Sequence, residues 1–157
     1  KLKKIKNTTF IKKDINSLNF KKLNADCFIF NAPLKKEKDI KKIIKKWLKN
    51  KKIDVIITTG GTGLTGRDIT PEAIEEIADK HIPGFGEIFR TLSLKTVGTS
   101  SVQSRACAVL AKGKYIFALP GSSGGVTDAW DKILKYQLDI NHKPCNFVEL
   151  FPRLKEK

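Results

Sequence analysis

Thr58-Thr59-Gly60-Gly61-Thr62-Gly63-Leu64-Thr65-Gly66-Arg67-Asp68-Ile69-Thr70-Pro71-Glu72 is the stretch on which the reading of this chain turns. It follows Ile53 to Ile57, a run that reads as a strand buried on both faces. It leads into a helix start in which Thr70 is the expected N-cap. Pro71 then falls at N1, where its missing N–H costs nothing, and Glu72 faces the positive helix end. Four glycines within seven residues separate strand and helix. Glycine reaches positive φ and carries no Cβ, so such a loop can turn its amides toward an anion. A strand, a glycine-rich turn and a helix start together predict a phosphate site.

Two familiar patterns overlap in the loop. Gly61-x-Gly63-x-x-Gly66 matches G-x-G-x-x-G. A dinucleotide fingerprint, however, opens its helix within the glycines and closes a second strand with an acid about 20 residues on. Here the helix signal waits until Thr70, and Glu87 falls in a Pro83-Gly84-Phe85-Gly86 turn, so the Rossmann reading is weak. Gly61-x₄-Gly66 is one step from a P-loop, but Arg67-Asp68 stand where Lys and Ser or Thr belong. A carboxylate there faces phosphates only with a cation in between, which points to a Mg²⁺-bridged phosphate site of another kind. The plainer reading, a glycine-rich turn capped by Asp and Thr, stands beside it.

The 157 residues suit one domain, 1–157, with an atypical basic part at 1–24. Forty per cent of the residues are apolar, yet no apolar run reaches the roughly 18 residues of a membrane span, and the N-terminus lacks a signal-peptide layout. Three separated cysteines (Cys27, Cys107, Cys145) predict a reducing, cytoplasmic setting. His81 and His142 stand apart from any zinc spacing. The chain begins at Lys1 and holds no Met, from which a longer natural N-terminus is expected.

The net charge of +15 is unevenly placed: residues 1–52 carry 18 Lys against 4 acids, a balance of +14. Such asymmetry is compatible with a polyanion site. The excess is lysine rather than arginine and comes with Ile, Asn and Phe, as compositional drift would give. A solvated lysine face is the favoured reading, and nucleic acid is not an expected partner.

Along the chain, Thr8 to Ile11 reads as a short strand, Ile15 to Asn24 as a helix and Cys27 to Phe30 as a buried strand. Over Glu37 to Asn50, Ile40, Ile43, Ile44, Trp47 and Leu48 fall at i, i+3, i+4, i+7 and i+8, one apolar helix face. Strand, helix, strand in about 30 residues is a βαβ unit with parallel pairing. A helix is expected from Pro71 to about Asp79, a break at Pro83 to Gly86, and a helical turn or two over Glu87 to Ser93. Gly98-Thr99-Ser100-Ser101 reads as a second small-residue loop, Ser104-Arg105-Ala106 as the start of a helix ended by Gly113, and Tyr115 to Leu119 as a third buried strand. Pro120-Gly121-Ser122-Ser123-Gly124-Gly125 is a further loop, feeding a helix over Val126 to Leu138. In a parallel sheet these loops converge on one edge, where ligands bind. Ser122 and Ser123 lack the G-x-S-x-G elbow of a hydrolase and suit anion binding better. Arg90 and Arg105 are the guanidinium groups expected near a phosphate.

Thr59-Gly60-Gly61-Thr62-Gly63, Asp68-x-Thr70-Pro71-Glu72-Ala73, Pro83-Gly84-Phe85-Gly86-Glu87, Arg90-x-Leu92-Ser93, Ser104-Arg105-Ala106 and Leu119-Pro120-Gly121-Ser122, in this order, resemble the molybdopterin-binding family of molybdenum cofactor biosynthesis. The resemblance covers roughly Ile53 to Phe151. Gly98-Thr99-Ser100, Gln103-Ser104-Arg105, Gln137-Leu138-Asp139 and Pro144-Cys145-Asn146-Phe147 are similar to its B-type branch rather than to the separate adenylyltransferase.

The resemblance implies a three-layer α/β/α fold around a mostly parallel sheet, assembled as a homotrimer or homohexamer and working beside other proteins of the pathway. It implies binding of molybdopterin and MgATP, with AMP transferred to the pterin's terminal phosphate. Asp68 would serve the Mg²⁺-nucleotide chemistry. Thr59, Gly60, Gly61, Thr62, Gly63, Thr70, Pro71, Glu72, Arg90, Ser100, Ser104, Arg105, Pro120, Gly121 and Ser122 would hold the pterin and its phosphate. The family's first-strand loop has no counterpart, since no glycine precedes Gly60, and its second acid meets Leu34-Lys35-Lys36-Glu37. A pterin-binding protein with a degenerate nucleotide site is therefore the alternative.

Overall fold

The computed structural model describes residues 9–11, 27–31 and 36–156. Its centre is a six-stranded sheet of order β1 (Thr9–Ile11), β2 (Cys27–Asn31), β3 (Val55–Thr59), β6 (Lys114–Leu119), β5 (Cys107–Ala111) and β4 (Lys80–His81). β1, β2, β3 and β6 run parallel, in a register that sets Phe28 beside Ile56 and Ile56 beside Ile116. β5 pairs antiparallel with β6, and β4 antiparallel with β5. The expected helix over Ile15 to Asn24 lies outside the described residues.

Helices cover both faces, and the alternation of the central strands shows it. Val55, Ile57, Tyr115, Phe117 and Leu119 face one layer, with α3 (Pro83–Val97) and α4 (Ser123–Ala129). Ile56, Ile116, Ala118, Val109 and Ala111 face the other, with α1 (Glu37–Leu48) and α2 (Thr70–Glu75). The architecture is the three-layer α/β/α arrangement around a mostly parallel sheet. α1 forms because Ile40, Ile44 and Leu48 recur at i, i+4 and i+8 and are buried, with Glu37 and Asp39 in its first turn and Lys45 and Lys46 in its last, where each complements the helix dipole. Among the described residues no helix is long and apolar enough to cross a membrane.

Several local expectations fail for identifiable reasons. Ser104 to Leu110 is not helical: Cys107–Ala111 is a strand joined to β6 through Lys112 (φ 51) and Gly113 (φ 71). Positive φ at both central residues is the tight hairpin turn that matches strand twist. Pro83 to Gly86 is the first turn of α3, not a break. Pro83 sits at the helix start, and a Cβ on Gly86 would stand 2.6 Å from the Ala106 carbonyl, so the glycine lets the helix backbone settle on β5. α2 stops at Glu75, and the Asp79 amide donates to the Leu110 carbonyl at 2.7 Å as the chain turns into β4.

Gly98–Gln103 is a 3₁₀ helix rather than an open loop. α4 starts at Ser123, capped by the Ser122 hydroxyl, and passes through a π-turn at Trp130–Leu134 into α5 (Lys135–Gln137). α6 (Phe147–Leu150) then places Phe147 against the Tyr115 ring at 4.7 Å.

Candidate functional site

β3 and β6 are neighbours and end side by side, which brings the two glycine-rich loops together. The ladder continues past the strands: the Gly60 amide donates to the Leu119 carbonyl at 2.9 Å, and the Thr59 hydroxyl to the Pro120 carbonyl at 2.9 Å. A Cβ on Gly121 would approach the Gly60 Cα to 3.3 Å. Gly61 has φ +71 and leaves no room for a side chain, since a Cβ would stand 2.3 Å from the Thr70 hydroxyl.

That hydroxyl is not a cap. Thr70 is the first residue of α2, Ile69 is its N-cap, and the Thr70 hydroxyl donates to the Gly60 carbonyl at 2.8 Å while its amide donates to the Gly61 carbonyl at 3.0 Å. Thr70, fully buried, fastens the loop to the helix that follows it.

Arg105 fastens the other side. Its amide donates to the Thr62 carbonyl at 2.9 Å and Nε to the Gly63 carbonyl at 2.7 Å. The remaining guanidinium nitrogens donate to the Asp68 carbonyl and to the Glu72 carboxylate. Burial pushes the Glu72 carboxyl up, but the Arg105 hydrogen bond, a backbone hydrogen bond and the Arg105 charge together outweigh it and hold the group below the usual carboxylate range. Arg90 Nη1 reaches the Ser104 and Ala106 carbonyls, both at 3.4 Å. The two arginines expected at a phosphate thus direct donors to the backbone that shapes the loops, and Arg105 also pairs with Glu72.

Asp68 stands at the rim. Its Oδ2 accepts from the Thr65 amide at 2.9 Å and from the Thr65 hydroxyl at 2.5 Å. A Cβ at residue 63 would meet that same oxygen at 2.8 Å, so Gly63 makes space for the carboxylate. The Thr65 hydroxyl, then its amide, keep the Asp68 carboxyl below the usual range. The group is an anion at neutral pH.

The loops open onto a cavity of about 890 Å³, at the upper end of the size of small-molecule sites. Of the expected site residues, Gly61, Thr62, Gly63, Asp68, Ser100, Ser104, Pro120, Gly121 and Ser122 line it. Thr59, Gly60, Thr70, Pro71, Glu72, Arg90 and Arg105 do not; they lie behind the wall as its supports. The sequence reading missed one wall altogether, formed by Phe89, Ser93, Thr96 and Val97 of α3 with Thr127 and Asp128 of α4. Their i, i+4, i+7, i+8 spacing along α3 was the available signal. It was obscured by reading Pro83 to Gly86 as a break. Among the described residues, no group of three or more His, Cys, Asp or Glu is placed to hold a metal ion.

Residues 35–140 match the family model described as a probable molybdopterin binding domain. Molybdenum cofactor biosynthesis protein B of Escherichia coli (strain K12) is 46% identical over 110 residues, 70% of this chain and 63% of that protein. The protein of the same name from Staphylococcus aureus (strain N315) is 50% identical over 97 residues, 61% of this chain and 57% of the relative. The chain thus spans less than two thirds of the length of these relatives. A crystal structure of a molybdenum cofactor biosynthesis protein B superposes with a TM-score of 0.72 at 26% identity, covering 83% of this chain and 96% of the other. The tungsten cofactor synthesizing protein MoaB from Pyrococcus furiosus gives 0.58 at 37% identity, over 63% of each chain.

Proposed function

As the chain belongs to the molybdopterin-binding family, we propose that it acts in molybdenum cofactor biosynthesis, holding molybdopterin in the loop cavity and transferring AMP from MgATP to its terminal phosphate. The observation that carries this reading is the convergence of the β3 and β6 loops around an ionised Asp68 at the mouth of the cavity. Backbone amides and the Thr62, Ser104 and Ser122 hydroxyls are donors suited to a phosphate ester. A carboxylate beside them suits a nucleotide that arrives with Mg²⁺, because that ion keeps most of its waters and asks the protein for only one or two carboxylates.

In the reaction, an oxygen of the pterin's terminal phosphate attacks the α-phosphorus of ATP in line. The bond from that phosphorus to the β-phosphate oxygen breaks, pyrophosphate leaves, and a phosphoanhydride joins AMP to the pterin. The Mg²⁺ carried by the nucleotide neutralises charge on the transferring and departing phosphates. The chain's own contribution is position: rigid loops fix the attacking phosphate, and Asp68 orients the nucleotide. No protein nucleophile is required.

Titration calorimetry with ATP and Mg²⁺ tests this reading. Saturable binding that Asp68→Ala abolishes, followed by pyrophosphate release once molybdopterin is added, is the expected result. One observation favours a second reading, a pterin-binding protein with a degenerate nucleotide site. Glu37, which stands where a second acid is expected, pairs with Lys41 at 3.1 Å and does not line the cavity. Well-folded protein that binds molybdopterin and ignores MgATP would establish that alternative.

A further inference from the structure

The cavity has two chemically different ends. The glycine loops offer N–H and hydroxyl donors, while the α3–α4 wall offers the apolar Phe89 and Val97 and one carboxylate, Asp128. A second anion is poorly placed if that wall also meets phosphate, so it must face a part of the ligand that donates hydrogen bonds.

The Asp128 carboxylate is held but not saturated. Lys132 Nζ lies 2.8 Å from Oδ1, and the side chain is 18% exposed. The Thr96 hydroxyl lies 3.2 Å from Oδ2, but also 3.0 Å from the Ser93 carbonyl. A hydroxyl has one hydrogen, and the nearer acceptor is the carbonyl. Each carboxylate oxygen has two acceptor sites, so Oδ2, and Oδ1 beside its Lys132 contact, both keep acceptor capacity beside the cavity.

We propose that Asp128 is the specificity-determining residue for the ring, accepting the paired N3–H and 2-amino hydrogens of a 2-amino-4-oxopteridine, while Phe89 and Val97 on the same face of α3 offer apolar contact. This inference rests on the phosphopterin reading above and names the residue that reads the pterin itself. Two parallel donors facing one carboxylate are the arrangement by which an acid distinguishes an amino from an oxo ring edge.

The test compares two probes that carry the same phosphate: 6-hydroxymethylpterin phosphate and its 2,4-dioxo (lumazine) counterpart, whose 2-oxo group would oppose the carboxylate. Wild-type protein should prefer the pterin by about tenfold or more. Asp128→Asn, which offers one donor and one acceptor, should lose the preference, and Asp128→Glu should keep part of it. Inorganic pyrophosphate binding should be the same in all three proteins, which reports that the loops are intact. Equal binding of the two probes by wild type, or an unchanged preference in Asp128→Asn, overturns the inference and leaves the phosphopterin reading standing. Failure of wild type to bind either probe overturns both.

Discussion

Arg105 decides between two ideas of how the site is built, and its removal separates them without any ligand. If the guanidinium is a clamp for the glycine loop, Arg105→Ala costs stability in the free protein. The side chain makes two hydrogen bonds to backbone carbonyls, those of Gly63 and Asp68, and an ion pair with Glu72. Each carbonyl bond is worth about 1 kcal/mol net. The ion pair is partly solvated, with side chains 32% and 46% exposed, and adds at most about 1 kcal/mol. The loss is about 2–3 kcal/mol, a drop in midpoint of ~4–12 °C for a domain of this size. Arg105→Lys, able to keep one of the three partners, should fall between. Urea or thermal unfolding of the free protein, followed by circular dichroism, reads this directly. A free-protein stability within about 0.5 kcal/mol of wild type, the background of an ordinary surface change, with pyrophosphate binding lost, would refute the clamp and make Arg105 a ligand group.

Gly61→Ala should destabilise by about 2 kcal/mol or more, because positive φ and a Cβ 2.3 Å from the Thr70 hydroxyl act together; denaturant midpoints check this. Thr65→Ala removes the hydroxyl that most lowers the Asp68 pKa and should raise it toward the usual carboxylate range. Carboxyl-carbon NMR titration would follow the shift. A depressed folded-state pKa contributes stability that is present above the unfolded value and lost as pH falls through the folded one. Wild type should therefore keep its loop to more acid pH than the variant. Burial pushes the Cys107 thiol up to about 12, whereas Cys145 is exposed. Iodoacetamide at pH 8 should label Cys145 before Cys107, as peptide mapping would report.

The glycine loop, its parent strand and helix α1 were readable because glycine clustering, a run of β-branched residues and a 3.6-residue apolar period are each local signals, whereas the three-layer order was implied by the family resemblance. What escaped was set by contacts distant in sequence. Ala106 to Ala111 is small and apolar, as good for a buried helix as for a strand. Only the Lys112-Gly113 turn and pairing with β6 decide it. Pro83 followed by two glycines looks like a break until β5 lies beneath Gly86. In the site, Arg105 and Arg90 carry the residue type that binds phosphate, but nothing local tells a guanidinium facing a ligand from one facing its own backbone. Asp128 gave no local sign, since its place on the cavity wall depends on α3 reaching Val97.

The shared edge between the two loops bears on how binding is driven. Mobile binding loops ordinarily come from the least protected part of a fold. Here the Gly60 amide hydrogen is bonded to Leu119 and extends the central ladder, so its exchange with solvent deuterium should be nearly as slow as that of β3. A recognition element built in this way is already ordered before its ligand arrives. Little conformational entropy is then lost on association, and affinity follows the contacts made rather than the fraction of molecules that happen to be competent.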